Sequence, residues 1–167
     1  MTNLAEAISN MQSTFREDAG TALASFETQS SLSDGMRSDI SIRDHELVID
    51  EPEQLGGGDA GPNPVEVVLA ALGSCQEITY KVYAAAMGIK LRRVSVSLSG
   101  DIDLRGLFGV DDSVRAGFQS IRGEVDIDAD ASPEKLARLK AAVDAHCPVL
   151  DMLQNGVPVE LELKASA

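Results

Sequence analysis

The order of helix and strand signals along this chain predicts a mixed α+β fold, βββαββααβ, with strands and helices in separate blocks rather than alternating units. Two observations lead there. Short apolar–polar alternations bounded by turn residues lie on both sides of the middle of the chain, as at Ile40 and Ile42 or at Val94, Val96 and Leu98. Between them stands one long helix signal, opened by Asn63-Pro64 and closed at Gly88, apolar on most of its faces. With 167 residues, 44% of them hydrophobic, the chain can bury a core without a disulfide scaffold.

Residues 1–20 place Leu4, Ile8, Met11 and Phe15 three or four apart, the spacing of a short amphipathic helix. We take them as an N-terminal appendage to a single domain over residues 21–167. From Thr21, the residues Leu23, Ser25 and Glu27 lead to a turn at Ser33-Asp34-Gly35. Ile40 and Ile42 then alternate with polar neighbours, and Leu47 and Ile49 follow a second turn at Asp44, which predicts three antiparallel strands. Pro52 ends the third. The glycine-rich Gly56–Pro62 loop has a superficial likeness to a phosphate cradle, but lacks the Lys-Ser/Thr ending of a P-loop and a placeable acidic ribose partner. A flexible connector is expected there.

Asn63 as N-cap, Pro64 at the first helical position and Glu66 as capping-box partner start a helix of about 24 residues, roughly 36 Å long. Val68, Leu72, Cys75, Thr79 and Val82 share one face, while Leu69, Ala70, Ala71 and Gly73 keep the others small and apolar. Such a helix should be central and buried on most sides, under a wrapping sheet or against a partner chain. Strands are expected from Val94 to Leu104 and from Phe118 to Ile127, joined by the Gly-rich Arg105–Arg115 segment. Ser132 and Pro133 open a further helix ending near His146, Pro148 opens a short one that stops at Gly156, and Val159, Leu161 and Leu163 predict a last strand.

A formal charge of −13 argues against nucleic acid as a partner, since the fourteen Lys and Arg are scattered among twenty-seven acidic residues. No secretory leader and no run of roughly 18 apolar residues is present, so no membrane association and a cytoplasmic location are expected. Two Cys and two His are too few for a zinc site of usual spacing. Chemistry therefore centres on Cys75 and Cys147. Cys75 in an apolar helix can be a small packing residue. Cys147, before Pro148, should sit at a helix N-cap, where free N–H groups favour a thiolate. If the two meet, one could attack an oxidant and the other resolve the sulfenic acid. A hydrolase would need a Cys-His pair with an orienting acid, and neither His45 nor His146 is placed for it.

The run Gly61-Pro-Asn-Pro-Val-Glu-Val-Val-Leu-Ala-Ala-Leu-Gly-Ser-Cys75, preceded by Asp50-Glu51-Pro52 and followed by His146-Cys147-Pro148-Val149, resembles the OsmC/Ohr family from about Thr21 to Lys164. The resemblance implies an OsmC-like fold, an intertwined homodimer whose strands wrap two central helices, and thiol-dependent reduction of organic hydroperoxides. It places the peroxide-reacting cysteine at Cys75 and the resolving one at Cys147, with a dithiol such as a lipoyl group, or a small thiol, as reductant and no cofactor or metal required. Peroxidase members also use an arginine just before the Asp-Gly turn and a glutamate ten residues before the reactive cysteine; Ser33 and Val65 stand there. The chain thus resembles a divergent subgroup. Arg37 and Arg105 are the candidates to stabilise the thiolate, and Glu66, capping residue first, is a candidate acid only from another chain. The second reading is a non-enzymatic protein of this fold that binds a small hydrophobic ligand or partner at the dimer cleft.

Overall fold

The computed structural model describes residues 4–165. Helix α1 (Leu4–Glu17) is followed by strands β1 (Gln29–Leu32), β2 (Ser38–Ile42) and β3 (His45–Ile49), then by helix α2 (Pro64–Ala86). Strand β4 (Lys90–Ile102), the one-turn helix α3 (Leu104–Leu107), strand β5 (Phe118–Asp130), helix α4 (Pro133–His146) and helix α5 (Pro148–Gln154) complete the order. The architecture is α+β, as expected. Strands β1, β2 and β3 form one antiparallel sheet, and β4 pairs antiparallel with β5 in a second.

Local chemistry explains the helix ends. The Asn63 side chain accepts from the Glu66 amide at 2.9 Å and the Glu66 carboxylate accepts from the Asn63 amide at 2.8 Å, closing a capping box around Pro64. Past α2, Gly88 takes φ +62°, a left-handed conformation that turns the chain into β4. Ser132 caps α4 through the Lys135 amide.

The core lies where α2, α4 and the long hairpin meet. Tyr80, Ala84, Ile89, Leu139 and Val143 are buried together, with Val94, Val125 and Ile127 of the sheet packed against them. In the register, Val94 faces Ile127 and Val96 faces Val125. Burying a side chain such as Leu139 is worth roughly 1.5–3 kcal/mol, and this cluster fixes α2 relative to α4.

Three expectations need correction. The first strand begins at Gln29 rather than near Thr21, and Leu23 and Phe26 lie exposed before it. Helix α2 is not buried all round: Leu72, Gln76, Thr79, Tyr80 and Ala84 face the interior, while Ala70, Ala71, Ser74 and Ile78 form an exposed face, Ile78 at 65%. The last strand does not form. Residues 156–165 are irregular, with Leu161 and Leu163 more than 90% exposed. In each case an apolar segment has too little surface in its own chain to bury against. Helix α1 packs beside α2 through Ile8, but Leu4, Met11 and Phe15 of the same face stay exposed.

Candidate functional site

Helix α4 ends and α5 begins at a single residue, Cys147, which is C-cap of the first and N-cap of the second. Pro148 fits this junction because it can open a helix but not continue one. The reversal brings α5 back across α2, and with it Cys147 onto Cys75. The two sulfurs are 3.2 Å apart, both reduced, the Cys147 thiol donating to Cys75 Sγ. Cys147 is fully buried and Cys75 partly exposed. Two sulfurs this close can be joined and parted without a change of fold.

Burial pushes the Cys75 thiol above the usual cysteine range. The Val149 amide and the Thr79 hydroxyl favour the thiolate, and the neighbouring Cys147 sulfur opposes it. The first turn of α5 thus acts on Cys75 rather than on Cys147, whose side chain makes no capping bond. Among the described residues no cation contributes to the Cys75 environment.

The residues named as helpers are engaged elsewhere in the single chain. Arg37, exposed after the β1–β2 turn, puts Nε and Nη2 on Asp39 Oδ1 at 2.9 and 2.7 Å. Arg105 clasps the Asp103 carboxylate, with Nη2 at 2.5 Å, and approaches Asp111 at 3.5 Å. Glu66 is held in the capping box. His146 lies flat on Tyr83, ring centroids 5.2 Å apart, and His45 is exposed at the start of β3. Neither histidine is arranged with a thiol and an acid as a hydrolase would need. Among the described residues no group of three or more His, Cys, Asp or Glu could hold a metal ion, and no helix is long and apolar enough to cross a membrane.

The glycine loop is neither a phosphate cradle nor a loose connector. Its amides already surround an anion from the same chain, the buried Asp50 carboxylate, which accepts from Glu51 at 2.8 Å and from Gly58 and Ala60 at 3.1 Å. These bonds, the Ala60 amide foremost, hold the Asp50 carboxyl below the usual carboxylate range. A Cβ at Gly57 would lie 1.8 Å from the Glu51 carbonyl oxygen, so only glycine fits that wrap. The sequence gives weak notice of this: Asp50 looks like one more acidic residue before a proline. Gln76 was also missed, although a polar side chain on the apolar side of a helix is itself a signal.

An α+β scaffold that seats two reduced cysteines against one another, one at a helix centre and one at a helix junction, defines a two-thiol protein of the kind the sequence resembles. A family model described as OsmC-like protein matches residues 56–162, and the chain belongs to that family. No curated protein matches it. Among solved structures, an OsmC-like protein from Mycoplasma pneumoniae is 17% identical with TM-score 0.68, covering 80% of this chain and 89% of that one. An organic hydroperoxide resistance protein OsmC from Legionella pneumophila is 18% identical with TM-score 0.61, covering 80% and 91%. An organic hydroperoxide resistance protein from Elizabethkingia anophelis is 16% identical with TM-score 0.59, again covering 80% and 91%. Likeness at these identities shows the OsmC-like fold.

Proposed function

We propose that this chain is a thiol-dependent reductase of organic hydroperoxides that works through Cys75 and Cys147. The observation that best supports the reading is the 3.2 Å separation of the two sulfurs. In the first step the Cys75 thiolate attacks an oxygen of the hydroperoxide and the O–O bond breaks. The alkoxide leaves as an alcohol after taking up the proton the thiol released, and Cys75 becomes a sulfenic acid. Cys147 then attacks that sulfur, the S–S bond forms, and the expelled hydroxide takes the Cys147 proton to become water. A dithiol reductant restores both thiols and is itself oxidised to a disulfide.

A homodimer belongs to the same proposal. A second copy would cover the exposed face of α2 and give the apolar residues of 156–165 a surface. Arg37 and Arg105 stay the candidates for thiolate stabilisation, provided they exchange their present carboxylates for Cys75 during turnover. Work in the cytoplasm, where thiols are kept reduced, suits a pair that must begin each cycle as free thiols. The second reading, a non-enzymatic protein binding a hydrophobic ligand, is favoured by the raised Cys75 pKa, because a protonated thiol reacts slowly.

Titration of reduced protein with cumene hydroperoxide separates the two readings. Loss of both thiols with one equivalent, and a Cys75–Cys147 disulfide in the peptide map, is the expected result. Persistent free thiols would refute the redox reading and leave ligand binding. Sizing at low protein concentration tests the dimer, which a stable monomer would contradict.

A further inference from the structure

A groove of about 630 Å³ runs between α2, the β4–β5 sheet and α5. That volume lies in the range of small-molecule sites, roughly 300–1,000 Å³. Leu72 of α2, Val96 of β4, Val125 of β5 and Leu150 of α5 make it largely apolar. Gln76 breaks that lining. It is 6% exposed, yet among the described residues its side-chain amide makes no hydrogen bond. No side-chain polar atom among them is shut off from solvent without a partner, so the amide retains its small exposure, and Gln76 lines the groove. A mostly desolvated amide gains most from a ligand that supplies both an acceptor and a donor.

The place and the charge around it narrow what that ligand is. Gln76 follows Cys75 directly, and Leu150 follows Val149, whose amide acts on Cys75, so the groove runs one residue along each helix from the thiol site, whose cysteines do not themselves line it. The charged groups along it are two of each sign: Arg122 is paired with Asp101 and Asp144 with Lys140, while Arg115 and Glu124 are exposed. Two positive and two negative groups, paired or at the exposed rim, give no net charge to hold an ionic head at the depth of Gln76.

We propose that Gln76 is the specificity-determining residue of this groove. It selects a mainly apolar small molecule by one neutral hydroxyl or hydroperoxyl group, its N–H donating to the oxygen and its C=O accepting from the O–H. The inference rests on the reading of the groove as the approach to Cys75, but it needs no thiol turnover. Two probes of one skeleton test it: 2-phenyl-2-propanol, which has a hydroxyl, and isopropylbenzene, which has none. Their affinities are measured on the wild type and on Gln76→Leu by NMR of the Leu72, Val96 and Leu150 methyl groups, with circular dichroism and sizing to check fold and assembly.

The ratio of alcohol to hydrocarbon affinity should fall about two- to tenfold in Gln76→Leu, the net effect of one hydrogen bond. Gln76→Met, similar in length but without the amide, gives the same comparison if the leucine variant does not fold. An unchanged ratio would overturn the proposal, as would absence of any shift of the groove methyls. So would tighter self-association of Gln76→Leu without probe binding, which would assign Gln76 to an interface between copies. Neither probe oxidises a thiol, so a failed peroxide titration and a failed discrimination are distinguishable.

Discussion

Joining Cys75 to Cys147 should stabilise the folded chain by up to about 4 kcal/mol. The sulfurs stand 3.2 Å apart and a disulfide needs about 2.05 Å, so they must close by roughly 1.2 Å, within reach of side-chain rotation. The residues are separated by 72 positions in sequence. A cross-link of that span removes chain entropy from the unfolded state worth about 4.4 kcal/mol at 25 °C when the native geometry accepts it without strain. For a protein of this length that corresponds to a rise in Tm of roughly 9–17 °C. The assay is thermal unfolding of diamide-oxidised protein against the same protein in excess reductant, with the disulfide mapped by mass spectrometry. Cys147→Ser, treated identically, cannot form the bridge and should show no rise. Two free thiols surviving diamide in the folded protein would refute the placement of the sulfurs, and an oxidised Tm at or below the reduced one would refute the unstrained geometry.

Two further outcomes follow from the ionisable groups. The rate at which iodoacetamide modifies Cys75 in Cys147→Ser should keep rising about tenfold per pH unit to beyond pH 8.5, the ordinary thiol value, because burial holds the thiol protonated; a plateau near neutrality would mean that a cation absent from the single chain acts on it. Asp50→Ala should lower Tm by several degrees at pH 7, since it strips the acceptor from the Glu51, Gly58 and Ala60 amides. The folded-state pKa of Asp50 is depressed, so its contribution is complete above the unfolded value near 3.9 and is lost as pH falls through the folded value. The difference between wild type and variant should therefore narrow below about pH 4, and a difference constant down to pH 2 would contradict the role given to the charge.

What could be read from the sequence was local. Asn63, Pro64 and Glu66 lie within one helical turn, and their capping box needs nothing beyond their own backbone, so the start of α2 was legible to the residue. Ser132-Pro133 and Gly88 are legible for the same reason. Alternation at Val159, Leu161 and Leu163 records only that a segment suits a sheet; whether an edge is available to it depends on distant parts of the fold or on another chain. The junction at Cys147 was visible from Pro148, but its approach to Cys75 depends on how α5 turns back over α2. The Asp50 wrap was hidden because it joins a carboxylate to amides eight and ten positions away. The family resemblance bridged the first of these gaps, between the cysteines, and not the second.

The unequal burial of the two cysteines imposes a direction on any exchange they enter. Cys147 has no exposed surface and Cys75 has some, so a reductant too large to enter the fold meets an oxidised pair from one side only. It would form its mixed disulfide with Cys75 and expel Cys147 as the leaving group, whichever sulfur is the better electrophile in solution. Traffic through the pair is then ordered by access before it is ordered by acidity, and the inner cysteine answers only to the outer one.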